Sequence, residues 1–89
     1  MEFEFDPAKS AINKDKHGID FIEAQALWYD DLAVDLEVNH LPEPRRMIVG
    51  LIGGKLWTGI YTLRANVVRI ISVRRARTQE RRRYEENQR

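Results

Sequence analysis

VVRIISVRRARTQERRR, the stretch from Val67 to Arg83, joins an apolar strand pattern to a run of arginines. Its first half is rich in valine and isoleucine, which predicts a buried strand with Arg69 set among the apolar residues. The second half carries Arg74, Arg75, Arg77, Arg81, Arg82 and Arg83. A small protein rarely places guanidinium groups inside and just after a central strand without an anion to bind them. We therefore expect the rest of the chain to support this strand and to present its arginines.

The composition predicts one soluble domain that spans residues 1–89. Hydrophobic residues make up 43% and charged residues 33% of the chain, which is typical of a globular protein rather than a disordered one. Cysteine is absent, so disulfides and thiol chemistry are excluded and a reducing compartment, the cytoplasm, is expected. The acidic N-terminus and the lack of a long apolar run argue against a signal peptide and a membrane span.

The net charge of +1 conceals a strong asymmetry between the two halves of the chain. Residues 1–43 carry eleven acidic residues against three lysines, a balance of −8. Residues 44–89 carry twelve basic residues against three glutamates, a balance of +9. This asymmetry favours a basic surface suited to phosphate or to an acidic protein. Alternatively, the two halves neutralise each other across the fold.

The first half of the chain contains the signals for two helices. Asp6 and Pro7 predict a helix start, and Gly18 predicts its end in a left-handed conformation. Helical spacing places Ala8, Ala11 and Ile12, together with Asp15, on one face of this helix. A second helix from about Phe21 to Tyr29 is apolar on most sides, as expected for a helix packed on a sheet. Residues 2–5 alternate charge and phenylalanine and form either a short edge strand or an anchor.

The second half predicts strands joined by short turns. The predicted strands are 33–38, 45–52, 55–63 and 67–73, with turns at 40–44, 53–54 and 64–66. Thr78 is expected to cap a final, mostly polar helix, with Glu80 in its first turn. The predicted architecture is therefore α+β, with two N-terminal helices, a four-stranded antiparallel sheet and a C-terminal helix. The N-terminal helices cover one face of the sheet, which leaves the other face for a partner.

No motif in the sequence supports a metal or nucleotide site. The chain has only two histidines and no cysteine, and its glycines form neither a dinucleotide fingerprint nor a P-loop. We therefore expect no cofactor.

The arginines are the remaining candidates for chemistry. Strand parity places Arg69 and Arg75 on one face with Ile71 and Val73, and Arg74 on the other face with Val68, Ile70 and Ser72. In the preceding strand, Trp57, Gly59 and Tyr61 share a face. Aromatic rings beside guanidinium groups suit RNA, since arginine binds phosphate and a ring stacks on a base. The alternative is that Trp57 and Tyr61 are core residues and that Arg69 pairs with a carboxylate from the first half.

Two side chains are candidates for proton transfer. His17 belongs to the last turn of the first helix, where it either stabilises the helix dipole or acts as an acid or base. Tyr84 either donates a proton or docks the last helix onto the sheet.

Two blocks of sequence form a recognisable pattern. The first is FEFDPAKSAINKDKHGIDFIEA, with an aromatic residue, Asp-Pro, a lysine, an asparagine, Lys-His-Gly and then Phe and Glu-Ala. The second contains Arg46 before Ile48-Val49-Gly50, Thr62, Arg64, the run VRIIS at 68–72, Arg74-Arg75-Ala76, Glu80 and Tyr84-Glu85. Together the blocks cover nearly the whole chain and resemble the BrnT family of bacterial toxins. The turn at Ala65-Asn66 and the stretch 42–45 depart from the pattern of that family.

The resemblance implies a RelE-like ribonuclease fold and the toxin role in a type II toxin–antitoxin pair. The implied activity is metal-independent cleavage of RNA that inhibits translation. The implied partner is a BrnA-type antitoxin, through which the complex would bind operator DNA. Cleavage requires a base for the ribose 2′-hydroxyl, cations on the phosphate and an acid for the leaving oxygen.

The resemblance also suggests site residues. The suggested catalytic residues are Arg64, Arg69, His17 and Tyr84, and the suggested RNA-binding residues are Lys9, Lys16, Ser72, Arg74 and Arg75. The arginines would contact the phosphate, and His17 or Tyr84 would move the proton. These arginines are expected to gather over one hollow near a proton-carrying side chain.

Two other functions remain open from the sequence alone. The chain is alternatively a non-catalytic module whose basic face binds nucleic acid or an acidic protein. A third possibility is a structural subunit whose charges close a homo-oligomer.

Overall fold

The strand that begins at Val67 lies within a five-stranded sheet in the computed structural model, which describes residues 1–38 and 44–88. The strands are β1 (Glu2–Glu4), β2 (Val34–Val38), β3 (Arg45–Ile52), β4 (Lys55–Arg64) and β5 (Val67–Arg75). The helices are α1 (Pro7–His17), a 3₁₀ helix (Glu23–Tyr29) and α2 (Thr78–Glu86). The α+β class is thus confirmed. The predicted turn at 40–44 lies, apart from its last residue, outside the described residues.

The sheet has one strand more than predicted and is mixed rather than antiparallel. Strands β2 to β5 form the predicted antiparallel meander, and β1 adds a parallel edge strand in the order β1-β5-β4-β3-β2. Glu2 pairs with Val67 and Glu4 pairs with Arg69. A three-residue strand has too short a pattern to reveal its partner, because that partner lies more than sixty residues away in the chain.

Helix α1 begins and ends as predicted but packs through a different face. The Asp6 carboxylate accepts a hydrogen bond from the backbone N–H of Ala8 at 2.8 Å, and Gly18 adopts φ +83°. The face that carries Ala8, Ala11, Ile12 and Asp15 is exposed, with Ile12 at 62%, while Ser10 and Asn13 are buried. The buried residues of the helix, Ser10 and Asn13, are therefore polar.

The predicted second helix is a 3₁₀ helix. It begins two residues later than predicted, at Glu23, and buries Ala24 and Leu27. Asp20 organises its start by accepting hydrogen bonds from the backbone N–H groups of Ile22 and Glu23 at 2.9 and 2.7 Å. This tighter helix, rather than an α-helix, packs on β3.

A β-bulge in β5 changes the side chain directions predicted by simple alternation. Ile70 pairs with Tyr61 and Ser72 pairs with Ile60, so Ile71 has no partner on β4. The predicted parity is therefore wrong beyond Ile70. The bulge keeps Val68, Ile70 and Val73 on the buried face.

One face of the sheet carries the main core. It consists of Ile19, Phe21, Ala24, Leu27, Ile48, Trp57, Tyr61, Val68, Ile70 and Val73. Trp57, Gly59 and Tyr61 share this face, as predicted, and the two aromatic residues are buried core residues. The alternative interpretation of Trp57 and Tyr61 is thus confirmed.

Helix α2 contacts the opposite face of the sheet. It packs on β3, and its N-cap is Arg77 rather than the predicted Thr78. Glu80 decides this start, since its carboxylate accepts a hydrogen bond from the backbone N–H of Arg77 at 2.8 Å. Among the described residues, no helix has the length and apolar character needed to cross a membrane.

Candidate functional site

A cleft between α1 and β5 brings together several of the predicted site residues. Its volume is about 180 Å³. It is lined by Lys9, Ile12, Asn13, Lys16 and His17 from α1 and by Ile71 and Ser72 from β5. We call it the α1–β5 cleft. It contains all three candidate site residues from the first half of the chain.

Asn13 fixes the geometry of the α1–β5 cleft. Strand β1 covers only the first part of the β5 edge, so the backbone of Val73 lacks a neighbouring strand on that side. The Asn13 amide replaces this strand by accepting from the N–H of Val73 at 3.1 Å and donating to its carbonyl at 2.9 Å. It also donates to the carbonyl of Ile19 at 2.8 Å. These buried bonds hold the helix against the strand edge.

Ser10 makes a second polar attachment on the same face of α1. Its hydroxyl accepts a hydrogen bond from the backbone N–H of Phe21 at 2.9 Å. Ser10, Asn13 and His17 follow the spacing of one helix face, so the buried side of α1 is polar. With this polar side against the rest of the fold, Lys9, Lys16 and His17 line the α1–β5 cleft.

The cations of the α1–β5 cleft have no internal partners. Within residues 1–38 and 44–88, the side chains of Lys9, Lys16, His17 and Ser72 make neither a hydrogen bond nor an ion pair. Both lysines are exposed and His17 is half-buried. Ammonium groups bind phosphate oxygens, and an imidazole can accept and donate a proton near neutral pH. The α1–β5 cleft is therefore a candidate site for a phosphate-containing ligand.

Arg74 lies in a second, closed group of charges that we call the Glu80 cluster. Glu80 is only 8% exposed and accepts two hydrogen bonds from Arg74, at 2.8 and 2.9 Å. It also accepts hydrogen bonds from the Thr58 hydroxyl and the Arg77 N–H, each at 2.8 Å. Burial would raise the pKa of Glu80, but these hydrogen bonds outweigh it and lower the pKa to about 2. Arg74 is thus committed to an internal carboxylate.

The family follows from a comparison with family models. The model for the ribonuclease toxin BrnT of type II toxin–antitoxin systems matches residues 5–80. The chain belongs to the BrnT family. No curated protein matches the sequence.

Membership of the BrnT family confirms the resemblance and gives the chain its general role. The chain is a ribonuclease toxin of a type II toxin–antitoxin system, which implies an RNA substrate and an antitoxin partner. The matched region begins at Phe5 and ends at Glu80. It therefore includes both the α1–β5 cleft and the Glu80 cluster.

The other arginines proposed for this BrnT toxin do not gather over one hollow. The guanidinium of Arg75 lies 5.5 Å from the centroid of the Trp57 ring, on the core face of the sheet. Arg69 lies on the opposite face, with a guanidinium nitrogen 3.8 Å from a Glu4 carboxylate oxygen. Arg64 is exposed at the end of β4. The expected common hollow is absent because the bulge separates the side chains and because several of them have internal partners.

Tyr84 docks α2 onto the BrnT fold. It is buried, and its hydroxyl donates a hydrogen bond to Asp30 at 2.8 Å. Asp30 also accepts from the backbone N–H groups of Leu51 and Leu32, both at 2.9 Å. Burial and the bond to Asp30 raise the pKa of Tyr84. Tyr84 therefore has the docking role that was one of its two predicted roles. It is not among the residues that line the α1–β5 cleft.

A third group of polar side chains lies at the other end of the core face. The Tyr61 hydroxyl donates to Asp35, and Arg46 donates to the same carboxylate at 3.0 Å. Burial and the bond to Asp35 raise the pKa of Tyr61 to about 12. A phenol with so high a pKa is a poor base at neutral pH. Over the described part of the chain, no group of three or more histidines and carboxylates could hold a metal ion.

The sequence interpretation gave Asn13 no role and placed Glu80 only in the first turn of the last helix, yet both residues organise the structure. Both belong to the blocks that resemble the BrnT family. Asn13 is a polar residue at the centre of a helix that is predicted to cover the sheet, which was a further signal. The sequence pattern did not identify their partners. Val73, the partner of Asn13, lies far along the chain, and Arg74, the partner of Glu80, is one of several arginines in the same run.

Proposed function

We propose that this toxin is a metal-independent endoribonuclease that cleaves RNA in the α1–β5 cleft. It inhibits translation in the cytoplasm and is neutralised by a BrnA-type antitoxin, through which the complex binds operator DNA. The observation that carries the proposal is that Lys9, Lys16, His17 and Ser72 line one cleft in a member of a ribonuclease family. The antiparallel meander β2–β5 with N-terminal helices supports a RelE-like fold.

His17 performs the proton transfers in the proposed reaction. Its neutral imidazole takes the proton from the ribose 2′-hydroxyl, whose oxygen attacks the adjacent phosphorus. The bond from phosphorus to the 5′-oxygen breaks, and the protonated imidazole returns the proton to that oxygen. The products are a 2′,3′-cyclic phosphate and a 5′-hydroxyl end. One side chain thus supplies both the base and the acid.

Lys9, Lys16 and Ser72 bind the phosphate in this proposal. The ammonium groups neutralise the negative charge that builds up on the non-bridging oxygens, and the Ser72 hydroxyl donates a hydrogen bond to one of them. Because these side chains have no partners among the described residues, phosphate binding breaks no internal contact. The protein therefore supplies the positive charge with its own side chains.

Arg69 is proposed to bind a flanking phosphate rather than the scissile one. It lies three residues before Ser72 on β5, roughly 10 Å along the strand. That distance exceeds the spacing of atoms around one phosphate. Arg64 is exposed at the end of the adjacent strand β4. We propose that it binds a further phosphate of the same RNA strand. Backbone contacts of this kind position RNA without selecting a sequence.

Cleavage of total RNA in EDTA tests the proposal. The purified chain should cleave RNA without added metal, and His17→Ala should abolish cleavage. Lys16→Ala should reduce the rate about tenfold, since a charged hydrogen bond contributes roughly 1.5 kcal/mol. Lys14→Ala is the matched control, because Lys14 lies on α1, pairs with Glu23 at 2.8 Å and does not line the cleft. It should leave the rate unchanged.

Three outcomes would contradict the proposal. Retardation of RNA without cleavage would identify a non-catalytic binding module. Cleavage only after a divalent cation is added would contradict metal independence. Cleavage that survives in His17→Ala would remove His17 from the reaction. A cell-free translation assay tests the biological consequence, since the chain should stop synthesis and its antitoxin should restore it.

A further inference from the structure

A groove lies between α2 and the outer face of the sheet, away from the α1–β5 cleft. Its volume is about 700 Å³. Its floor is formed by the half-buried side chains of Leu36 on β2 and Met47 on β3. Its other lining residues belong to the N-cap and helix of α2: Arg77, Thr78, Gln79, Glu80, Arg82, Arg83 and Glu86. We call it the α2 groove.

The helix face above this apolar floor is polar. Gln79, Arg82, Arg83 and Glu86 follow the spacing i, i+3, i+4 and i+7, so they share one face of α2. A helix that packs on a sheet normally buries apolar side chains at those positions. Here α2 is attached through two residues outside that face, by the hydrogen bonds of Glu80 and Tyr84. The floor of the groove therefore lacks an apolar cover from α2.

The α2 groove carries net positive charge. Arg77, Arg82 and Arg83 are exposed at its rim. Of the two carboxylates in the lining, Glu80 is already neutralised by its paired hydrogen bonds from Arg74. Among the described lining residues, Glu86 is the one carboxylate that remains to offset the three guanidinium groups. An occupant with carboxylates along its edges would complement this rim.

The floor of the groove favours a polypeptide over RNA. Single-stranded RNA is held by aromatic side chains that stack on its bases, and the described residues that line the groove include no aromatic side chain. Leu36 and Met47 instead suit aliphatic side chains, and methionine adapts its shape to different partners. An acidic segment with an apolar stripe satisfies both the rim and the floor.

We propose that the α2 groove docks an acidic amphipathic segment of the antitoxin. This inference rests on the proposed function, since it assumes an antitoxin that binds the chain. The groove lies beside β2 and β3, whereas the α1–β5 cleft lies at β5, toward the opposite edge of the sheet. A segment bound in the groove leaves the cleft open. Affinity for the antitoxin and cleavage of RNA can therefore be changed separately.

Charge reversal on adjacent residues of α2 tests the inference. The probe is the purified antitoxin encoded with the toxin, and its Kd for the toxin is measured by fluorescence anisotropy. Arg82→Glu should weaken binding at least tenfold, and Arg82→Glu with Arg83→Glu should weaken it further. Arg81→Glu is the matched control, since Arg81 is exposed on the same helix and does not line the groove. It should change the Kd less than threefold.

A second variant tests the apolar floor without changing charge. Leu36→Ser should weaken antitoxin binding about tenfold, and circular dichroism should confirm that the variant is folded. The groove variants should keep the RNA cleavage rate of the wild type. His17→Ala, in contrast, should lose cleavage and keep its affinity for the antitoxin.

The outcomes separate the inference from the proposed function. If the antitoxin binds the wild type and all groove variants equally, the groove assignment is wrong and the toxin–antitoxin pairing stands. If the antitoxin does not bind the wild type, the groove assignment and the toxin–antitoxin pairing are both wrong, while the RNA cleavage assay decides the ribonuclease activity separately. A fluorescent, non-cleavable 2′-deoxy oligonucleotide is the third probe. If Arg82→Glu weakens its binding and leaves antitoxin binding unchanged, the groove serves nucleic acid and the inference is overturned.

Discussion

The α1–β5 cleft and the Glu80 cluster contain similar side chains but use them in opposite ways. In the Glu80 cluster, Arg74 is largely buried and its guanidinium meets a carboxylate in two hydrogen bonds. In the cleft, Lys9 and Lys16 are exposed and have no such partner among the described residues. Burial and pairing make the first group part of the fold. Exposure leaves the second group available to a substrate.

This difference shows what decides the role of a cation in a small basic protein. The dense arginine run after β5 is the stronger signal in the sequence, whereas the cations of the cleft are scattered along α1. Yet the first arginine of the run stabilises the fold, and the sparse lysines line the candidate site. The presence of an internal anion, rather than local charge density, separates the two roles.

The largest expected effect is the loss of stability in Glu80→Ala. The change leaves the buried Arg74 without its carboxylate and also removes the acceptor for Thr58 and the Arg77 N–H. We expect the free energy of unfolding to fall by about 3–5 kcal/mol, measured by urea denaturation. Glu85→Ala, on the exposed side of the same helix, should change it by less than about 0.5 kcal/mol. If Glu80→Ala and Glu85→Ala lowered the free energy of unfolding equally, the structural role assigned to the Glu80 cluster would be wrong.

The free energy of unfolding should depend on pH through the same Glu80 carboxylate. Because the pKa of Glu80 falls from 4.5 to about 2 on folding, the folded state binds this proton less readily than the unfolded state. The resulting stabilisation, about 3 kcal/mol, is complete above pH 4.5 and is lost as the pH falls toward 2. Denaturation curves between pH 2 and 6 should therefore show a shallower slope for Glu80→Gln than for the wild type. A slope unchanged by this substitution would contradict the assignment, while Glu85→Gln should keep the slope of the wild type.

Asn13→Ala should reduce both stability and activity, because Asn13 belongs to the scaffold of the cleft. The substitution removes the hydrogen-bond partners of the Val73 backbone and of the Ile19 carbonyl, both of which are buried. We expect a loss of about 2–3 kcal/mol in unfolding experiments and a lower cleavage rate in the RNA assay. Lys14→Ala, one residue further along α1, serves as the control for both measurements. Lost cleavage at unchanged stability would instead identify Asn13 as a contact to RNA.

Arg69→Ala should lower the free energy of unfolding less than the substitutions at Glu80 and Asn13. Unlike Arg74, Arg69 is not buried against its carboxylate partner. Its carboxylate partner, Glu4, is 3.8 Å away, and both side chains are at least one-third exposed. We expect less than about 1 kcal/mol of lost stability together with reduced cleavage. Glu4→Ala would free the guanidinium and should not reduce cleavage. If Arg69→Ala cleaves RNA at the rate of the wild type, Arg69 lies outside the RNA path.

The sequence predicted the parts of the fold that depend on local patterns. The caps at Asp6 and Gly18, the alternation in β2 and the turn at Gly53-Gly54 are all confirmed. The signals for these elements lie within a few residues of each other. They therefore do not depend on distant parts of the chain.

The features that the sequence did not predict depend on distant contacts or on an irregular backbone. The parallel pairing of β1 joins residues more than sixty positions apart, and the bulge at Ile71 reverses the parity beyond it. Among the candidate site residues, Lys9, Lys16, His17 and Ser72 lie together because Asn13 attaches α1 to β5. The roles of Arg74 and Tyr84 followed from carboxylates whose positions only the fold reveals.

The pairing of β1 with β5 also has a consequence for the order in which the toxin is assembled during synthesis. The contacts Glu2 with Val67 and Asn13 with Val73 each join the first residues of the chain to some of the last. Such long loops close slowly, and no part of them can close before β5 has been made. A nascent chain that ends before Val73 lacks the β5 side of the α1–β5 cleft, so this cleft can form only after the ribosome has made β5.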